Sequence, residues 1–110
     1  MIVEVIGGAD EHPQARVVDI DDLGRLHLAL GEVTDEEASE VLERAGLGRM
    51  QDAETAFLDA AALRAAAEPR ATAPDWSTRW DAMVASARSK GWVSDDGASI
   101  QVHVESAAGA

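Results

Sequence analysis

Short runs of β-branched residues, or of apolar residues alternating with polar ones, occur in several parts of the chain and are typical of β-strands. A first strand is predicted over residues 2–6, IVEVI, which end at a Gly-Gly pair. A polar loop through Pro13 is expected to follow. Residues 16–20 and 25–33 are two further strand-like runs, and the acidic segment DDLG between them predicts a hairpin that pairs these two strands.

The same alternation indicates which face each strand buries. In residues 99–105 apolar and polar positions alternate throughout, so the apolar face of this strand is predicted to be buried and the other exposed. His103 lies on the polar face of this strand. In the third strand, His27 lies on the face that does not carry the leucines. The tail over residues 106–110 is predicted to fray.

The first helix has clear signals at both ends. Thr34 and Glu37 form a capping box, in which the Thr34 hydroxyl accepts from the backbone N–H of Glu37 and the Glu37 carboxylate accepts from that of Thr34. Gly46 is predicted to end the helix in the left-handed conformation, with Leu47 packing back on its last turn. This element is therefore the best specified in the chain.

Residues 49–68 allow two interpretations. They form either one alanine-rich helix that ends before Pro69, or a short strand over residues 54–58 followed by a helix over residues 60–67 with Asp59 as its N-cap. The alanine content supports the first. We favour the second, because a threonine and a phenylalanine in the strand segment prefer extended backbone and aspartate is a good N-cap.

A last helix is predicted to begin after Asp75 and to end near Lys90. Trp76 and Trp80 lie four residues apart, so they share one face of this helix with Met83, Val84 and Ala87. Gly91 is expected to end the helix, and Trp92 follows at the position that normally contacts the last turn.

The three tryptophans of this region, Trp76, Trp80 and Trp92, support two hypotheses. Each buried aromatic side chain removes about 150–250 Å² from water, so the principal one is that they hold the helix onto the sheet. The alternative is an apolar cleft or a protein-binding surface, because exposed tryptophan is frequent at such sites.

Together these elements predict an α+β fold, with an antiparallel or mixed sheet of about four or five strands and two or three helices packed on one face.

The length of 110 residues is that of one domain. The chain has no cysteine, which excludes disulfides and thiolate metal sites. Its beginning lacks the pattern of a signal peptide or membrane anchor, so a cytoplasmic location is expected.

The net charge of the chain indicates which classes of partner it would attract or repel. The chain carries 9 basic and 21 acidic residues, a formal net charge of -12, and residues 1–59 hold 15 of the acidic but only 4 of the basic residues. Such a field opposes nucleic acids and anionic membranes, so neither is expected as a partner, whereas a basic protein would be attracted. The abundance of alanine, arginine, glycine and aspartate suggests a GC-rich bacterial genome.

The first helix is the densest acidic segment. It is either a solvated helix face or an interface for a basic protein, and electrostatic steering would speed that encounter. The leading hypothesis is thus a non-enzymatic accessory or regulatory protein that acts through a protein interface. Pairing of two copies along a free sheet edge, giving a homodimer, is a further possibility. The candidate interface residues are Asp35, Glu36, Glu37, Glu40 and Glu43.

The sequence shows no decisive signature of catalysis, metal binding or cofactor binding, so no catalytic residue, metal or cofactor is expected. The chain has no GxSxG, P-loop or GxGxxG pattern. The segment from Asp19 to Gly24 begins like a calcium loop, but Leu30 stands where a bidentate glutamate is needed. His27 and His103 could meet, with Glu4 or Glu105 nearby, if their strands are neighbours.

The alternative function is a small-molecule-binding module, or a small enzyme, with its pocket between the sheet and the last helix. The candidate pocket residues are Trp76, Trp80, Trp92, His27 and His103. Apolar clefts with a few polar groups are the usual form of such sites. Whether the protein is an enzyme stays open, with binding favoured over catalysis.

Overall fold

The computed structural model describes residues 1–8 and 11–106, and of residues 8, 11 and 12 only the backbone. Ser106 ends the last strand, and the rest of the predicted frayed tail lies outside the described residues. The helices and strands are β1 (Ile2–Gly8), β2 (Glu11–Val18), β3 (His27–Gly31), α1 (Asp35–Ala45), β4 (Gly48–Met50), β5 (Thr55–Asp59), α2 (Ala60–Ala67), α3 (Trp76–Ser89) and β6 (Ser99–Ser106).

The strands form one mixed sheet in the order β2-β1-β3-β6-β5-β4. β1 is antiparallel to β2 and parallel to β3, β3 is parallel to β6, and the pairs β6 with β5 and β5 with β4 are antiparallel. The predicted α+β class is confirmed. The described sheet has six strands, so the prediction of four or five was too low.

The predicted hairpin between the second and third strand-like runs is wrong. β2 pairs with β1, and β3 lies on the opposite side of β1 and parallel to it. The connecting residues 19–26 pass the beginning of β1, where the amino group of the buried Met1 donates to the Asp22 carbonyl. Of the predicted polar loop through Pro13, residues 9–10 lie outside the described residues and the others belong to β1 and β2.

Both ends of α1 are as predicted. The Glu37 N–H donates to the Thr34 hydroxyl over 3.1 Å, and the Thr34 N–H donates to the Glu37 carboxylate over 2.9 Å. Gly46 has a φ of 73°, and the Leu47 N–H donates to the Leu42 carbonyl over 2.9 Å. This 6→1 bond is that of a Schellman motif, so the predicted C-terminal end is confirmed.

The strand-plus-helix interpretation of residues 49–68 is confirmed by β5 and α2. Asp59 is the N-cap of α2, and its carboxylate accepts a hydrogen bond of 2.8 Å from the Ala62 N–H. β4 was not predicted. Its three residues, Gly48–Met50, are too few to show an alternation, and only their antiparallel pairing with β5 identifies them as a strand.

The core is formed by apolar side chains of the sheet and of the helices. Leu28 and Leu58 of the sheet are completely buried, as are Leu42 of α1 and Leu63 of α2. α3 contributes Trp76, Trp80 and Ala87 to the same cluster. The core therefore joins all three described helices to the sheet through one set of apolar contacts.

Candidate functional site: a cleft beside α3

The pairing between β3 and β6 is short, and only the end of β6 takes part in it. Their parallel pairing covers three residue pairs, of which the first is Leu28 with Val104. The preceding part of β6, residues 99–103, pairs with β5, and on its other side the Gln101 N–H donates to the Trp92 carbonyl over 2.6 Å. β6 therefore lies apart from the segment that precedes β3, and a cleft opens between them.

This cleft has a volume of about 710 Å³ and lies between α3, the strands β5 and β6, and the turn before β3. Apolar side chains from all three sides line it, among them Leu23 and Leu26 of the turn, Met83 of α3, and Ile100 and Val102 of β6. An apolar wall of this size is typical of a site that takes an organic molecule.

One stripe of α3 faces the cleft. It consists of Arg79, Met83, Ser86 and Lys90, which follow the helical spacing i, i+4, i+7 and i+11. The helix rises 1.5 Å per residue, so the Cα atoms of Arg79 and Lys90 lie about 16 Å apart along its axis. α3 thus places one basic side chain towards each end of the cleft.

The charge balance of the cleft differs from that of the chain. Arg79 and Lys90 are basic and Glu54 is the acidic residue of the lining, whereas acidic residues outnumber basic ones by 21 to 9 over the whole sequence. His103 adds a titratable group. In the part of the chain that the structure describes, no salt bridge joins Arg79 or Lys90 to a carboxylate. The cleft therefore carries a local excess of positive charge.

Trp92 lies at the mouth of the cleft and is 45% exposed. Gly91, with a φ of 80°, ends the helix as predicted, and the Trp92 N–H donates to the Ala87 carbonyl over 2.9 Å. The Lys90 ammonium lies 4.8 Å from the centre of the indole ring, a cation–π contact. The end of α3 thus presents a partly exposed aromatic ring with a cation over it.

The other two tryptophans belong to the core. Trp76 is 2% exposed and Trp80 is 4% exposed, and their rings stack with centroids 5.5 Å apart. The lining of the cleft includes Trp92 but neither of these two. The structure thus separates the three tryptophans that the sequence analysis grouped together.

His27 and His103 lie on adjacent strands, but the structure gives their side chains different surroundings. The two ring nitrogens of His27 lie 2.7 Å from the Arg25 carbonyl and 3.0 Å from the Glu105 carboxylate. His103 is exposed and lines the cleft, while Glu4 forms a salt bridge with an arginine of β2. Within residues 1–8 and 11–106, no group of three or more metal-ligating side chains could hold an ion.

The acidic side chains of α1 are all exposed, as the candidate interface requires. Two of them have local roles, since Glu37 closes the capping box and Glu40 forms a salt bridge with Arg44. The exposed set is Asp35, Glu36, Glu37, Glu40 and Glu43.

Among the described helices, none combines the length and the apolar character needed to cross a membrane.

Arg79 and Lys90 were not predicted as site residues. Their signal was present in the sequence, because they share a helical stripe with Met83 and Ser86 next to the tryptophan stripe. A mixed stripe of this kind is also the ordinary solvent face of a helix. Only the opening between β6 and the segment that precedes β3 makes it the wall of a cleft.

The cleft and its lining are the structural features on which a function for this protein can rest. Comparisons of the chain with protein-family models, with curated proteins and with solved structures give no match.

Proposed function

We propose that this protein binds a small organic molecule in the cleft between α3 and β6. The observation that carries the proposal is a concave site of about 710 Å³ with an apolar wall and the exposed ring of Trp92 at its mouth. Sites for small molecules commonly measure about 300–1,000 Å³ and combine apolar walls with a few polar groups. Both properties are present in this cleft.

Solvation of the apolar wall supports the proposal. Leu26 and Met83 are half-buried and line the cleft, so part of their apolar surface remains in contact with water. A ligand that covered this surface would release that water, which favours binding by about 25 cal/mol per Å² of apolar area. Thr55 and Gln101 line the cleft and offer hydrogen bonds that would help to orient a bound molecule.

The test is a titration with N-phenyl-1-naphthylamine, an uncharged aromatic probe whose emission rises in apolar surroundings. Ser86 lines the cleft and is exposed, so Ser86→Phe would fill the site without disturbing the core. We expect the natural protein to bind the probe and Ser86→Phe to weaken binding at least about tenfold, because the ring occupies the same volume.

The matched control is Ser89→Phe, which adds the same ring at an exposed position of α3 outside the cleft lining. Its affinity for the probe should stay within twofold of the natural protein. Equal weakening by both substitutions, or no binding by the natural protein, would contradict the proposal. Circular dichroism of each variant shows whether the fold is retained.

A second candidate is the binding of a basic protein by α1. The observation that favours it is the exposure of five carboxylates on one helix, where Arg44 is the basic residue that offsets them. An exposed acidic helix also serves solubility alone, which is why the cleft is preferred. We expect a partner that binds at low salt and is released at high salt, because screening weakens contacts between exposed charges.

Native mass spectrometry of the untagged protein, purified at low and at high salt, measures this directly. The double variant Glu36→Gln, Glu43→Gln removes two charges from α1, and Glu68→Gln with Glu105→Gln removes two elsewhere. Only the first should lose the partner. The same spectra give the oligomeric state, because a homodimer doubles the mass.

A further inference from the structure

We infer that the occupant of the cleft is an aromatic or otherwise apolar molecule that carries one anionic group of the carboxylate or sulfonate class, bound with that group at Lys90 and its apolar part beside Trp92. The inference rests on the proposed function and adds the class and the orientation of the ligand. It is carried by the charges, the aromatic ring and the strand geometry of the cleft.

The positive charge at the cleft favours an anionic ligand. A net charge of -12 repels anions from most of the surface, so an anion needs a place where the balance is reversed. Lys90 and Arg79 provide that place, since they face the cleft and form no salt bridge with a described carboxylate. A ligand anion would supply the partner that Lys90 lacks.

The position of Glu54 indicates the orientation. The Val104 N–H donates to the Glu54 carbonyl, whereas the Gln101 N–H donates to that of Trp92. β6 rises about 3.3 Å per residue, so these two points lie about 10 Å apart along the strand. The backbone of Glu54 thus lies towards the Val104 end of the cleft, so we expect its charge to repel a ligand anion more strongly there than at the end formed by Trp92 and Lys90.

Arg79 is the less suitable anchor of the two cations. Hydrogen bonds from Thr72 and Ala73 lower the pKa of Asp21, and the positive charge of Arg79 contributes to the same shift. The field of Arg79 is thus partly balanced by a carboxylate of the protein itself. Lys90 contacts an aromatic ring instead, which leaves its charge available to a ligand.

Trp92 accounts for the apolar part of the ligand. The residue is 45% exposed, so a second ring could pack against the part of the indole that the Lys90 ammonium does not cover, at the usual centroid distance of about 4.5–7 Å. The Lys90 ammonium lies 4.8 Å from the centre of the same ring. A molecule with its ring against Trp92 and its acid beside Lys90 would therefore satisfy both groups at once.

The experiment uses two probes with the same aromatic framework. 8-Anilino-1-naphthalenesulfonate carries one sulfonate, and N-phenyl-1-naphthylamine is the same molecule without it. Lys90→Gln should weaken the binding of the sulfonate about tenfold, because a charge-assisted contact is lost. The affinity for the uncharged probe should change less than twofold. Trp92→Ala should weaken both probes, since it removes the ring that both contact.

Arg88→Gln is the matched control, because it removes the same charge from α3 at a position outside the cleft lining. It should change the binding of either probe less than twofold. If Lys90→Gln weakens both probes equally, or acts no more strongly than Arg88→Gln, the inference is overturned while the binding site stands, provided that Ser86→Phe still blocks the probes. If the natural protein does not bind the uncharged probe, the proposed function and this inference fail together.

Discussion

The indole N–H of Trp76 donates a hydrogen bond of 2.8 Å to the carbonyl oxygen of Ile20. The bond is buried and joins the first turn of α3 to the segment that connects β2 with β3. Trp80 stacks on Trp76 one turn later. The beginning of α3 is thus anchored in the core, which leaves its neighbouring stripe, from Arg79 to Lys90, to face the cleft.

Trp76→Phe should lower the free energy of unfolding by about 1–3 kcal/mol, because it leaves the buried Ile20 carbonyl without its donor. Urea unfolding followed by circular dichroism measures the change. Trp92→Phe is the control, since this ring is largely exposed, and it should cost clearly less. Equal losses in the two variants would show that the buried hydrogen bond contributes nothing of its own.

Gly48→Ala should be far more damaging than Gly46→Ala, although both glycines have a positive φ. A Cβ at Gly48 would lie 2.1 Å from the Phe57 carbonyl oxygen, whereas a Cβ at Gly46 meets nothing within 4 Å. We expect Gly46→Ala to cost about 1 kcal/mol. Gly48→Ala should cost several times more, because β4 cannot keep its pairing with β5. Thermal unfolding of both variants tests this, and similar melting temperatures would contradict it.

The carboxylate of Asp21 should make the stability of the protein depend on acid pH. The side chain accepts hydrogen bonds from the hydroxyl and the N–H of Thr72 and from the N–H of Ala73, which lower its pKa from the ordinary 3.8. The unfolded chain therefore binds the proton more readily than the folded one, so the stabilisation is present above pH 3.8 and is lost as the pH falls through the lower folded pKa.

Asp21→Asn tests this, because the amide cannot titrate. The variant should be less stable than the natural protein at pH 7, and the difference should shrink as the pH falls below 3.8. Urea midpoints at a series of pH values give the measurement. Asp95→Asn removes the same charge at an exposed position of the turn before β6 and serves as the control. A constant difference between Asp21→Asn and the natural protein at all pH values would count against the prediction.

Thr34→Ala should lower the free energy of unfolding by about 0.5–2 kcal/mol, because it removes the hydroxyl that accepts from the Glu37 N–H. The control is Thr78→Ala, an exposed position within α3, where alanine is the better helix former and the change should be neutral or slightly stabilising. Chemical unfolding of the two variants distinguishes the cap from a general effect of the substitution. A loss in Thr78→Ala as large as in Thr34→Ala would refute the assignment.

The helices and their ends could be predicted because their signals are local. The capping box of Thr34 with Glu37, the left-handed Gly46 and the cap at Asp59 each involve residues at most five positions apart. These hydrogen bonds join residues that are close in the chain, so a short stretch of sequence is enough to recognise them. The last strand was equally clear, because its alternation extends over enough residues to define a buried face.

The pairing of the strands could not be predicted in the same way. An acidic turn between two strand-like runs favours a hairpin, yet β3 pairs with β1, whose residues lie about 25 positions away in the sequence. Pairing across such distances depends on which strands can bury their apolar faces together, and no short segment carries that information. β4 was missed for the same reason, since only its pairing with β5 defines it.

The sequence by itself determined the charge of the protein, the class of its fold, the ends of α1 and the face of α3 that carries Trp76 and Trp80. Only the tertiary structure decided that β6 joins β3 late, so that a cleft opens beside Lys90 and Trp92 while Trp76 and Trp80 pack inside. The physical reason is that local hydrogen bonds depend on near neighbours in the chain. A cavity depends on gaps in the packing between helices and strands that are far apart in the sequence.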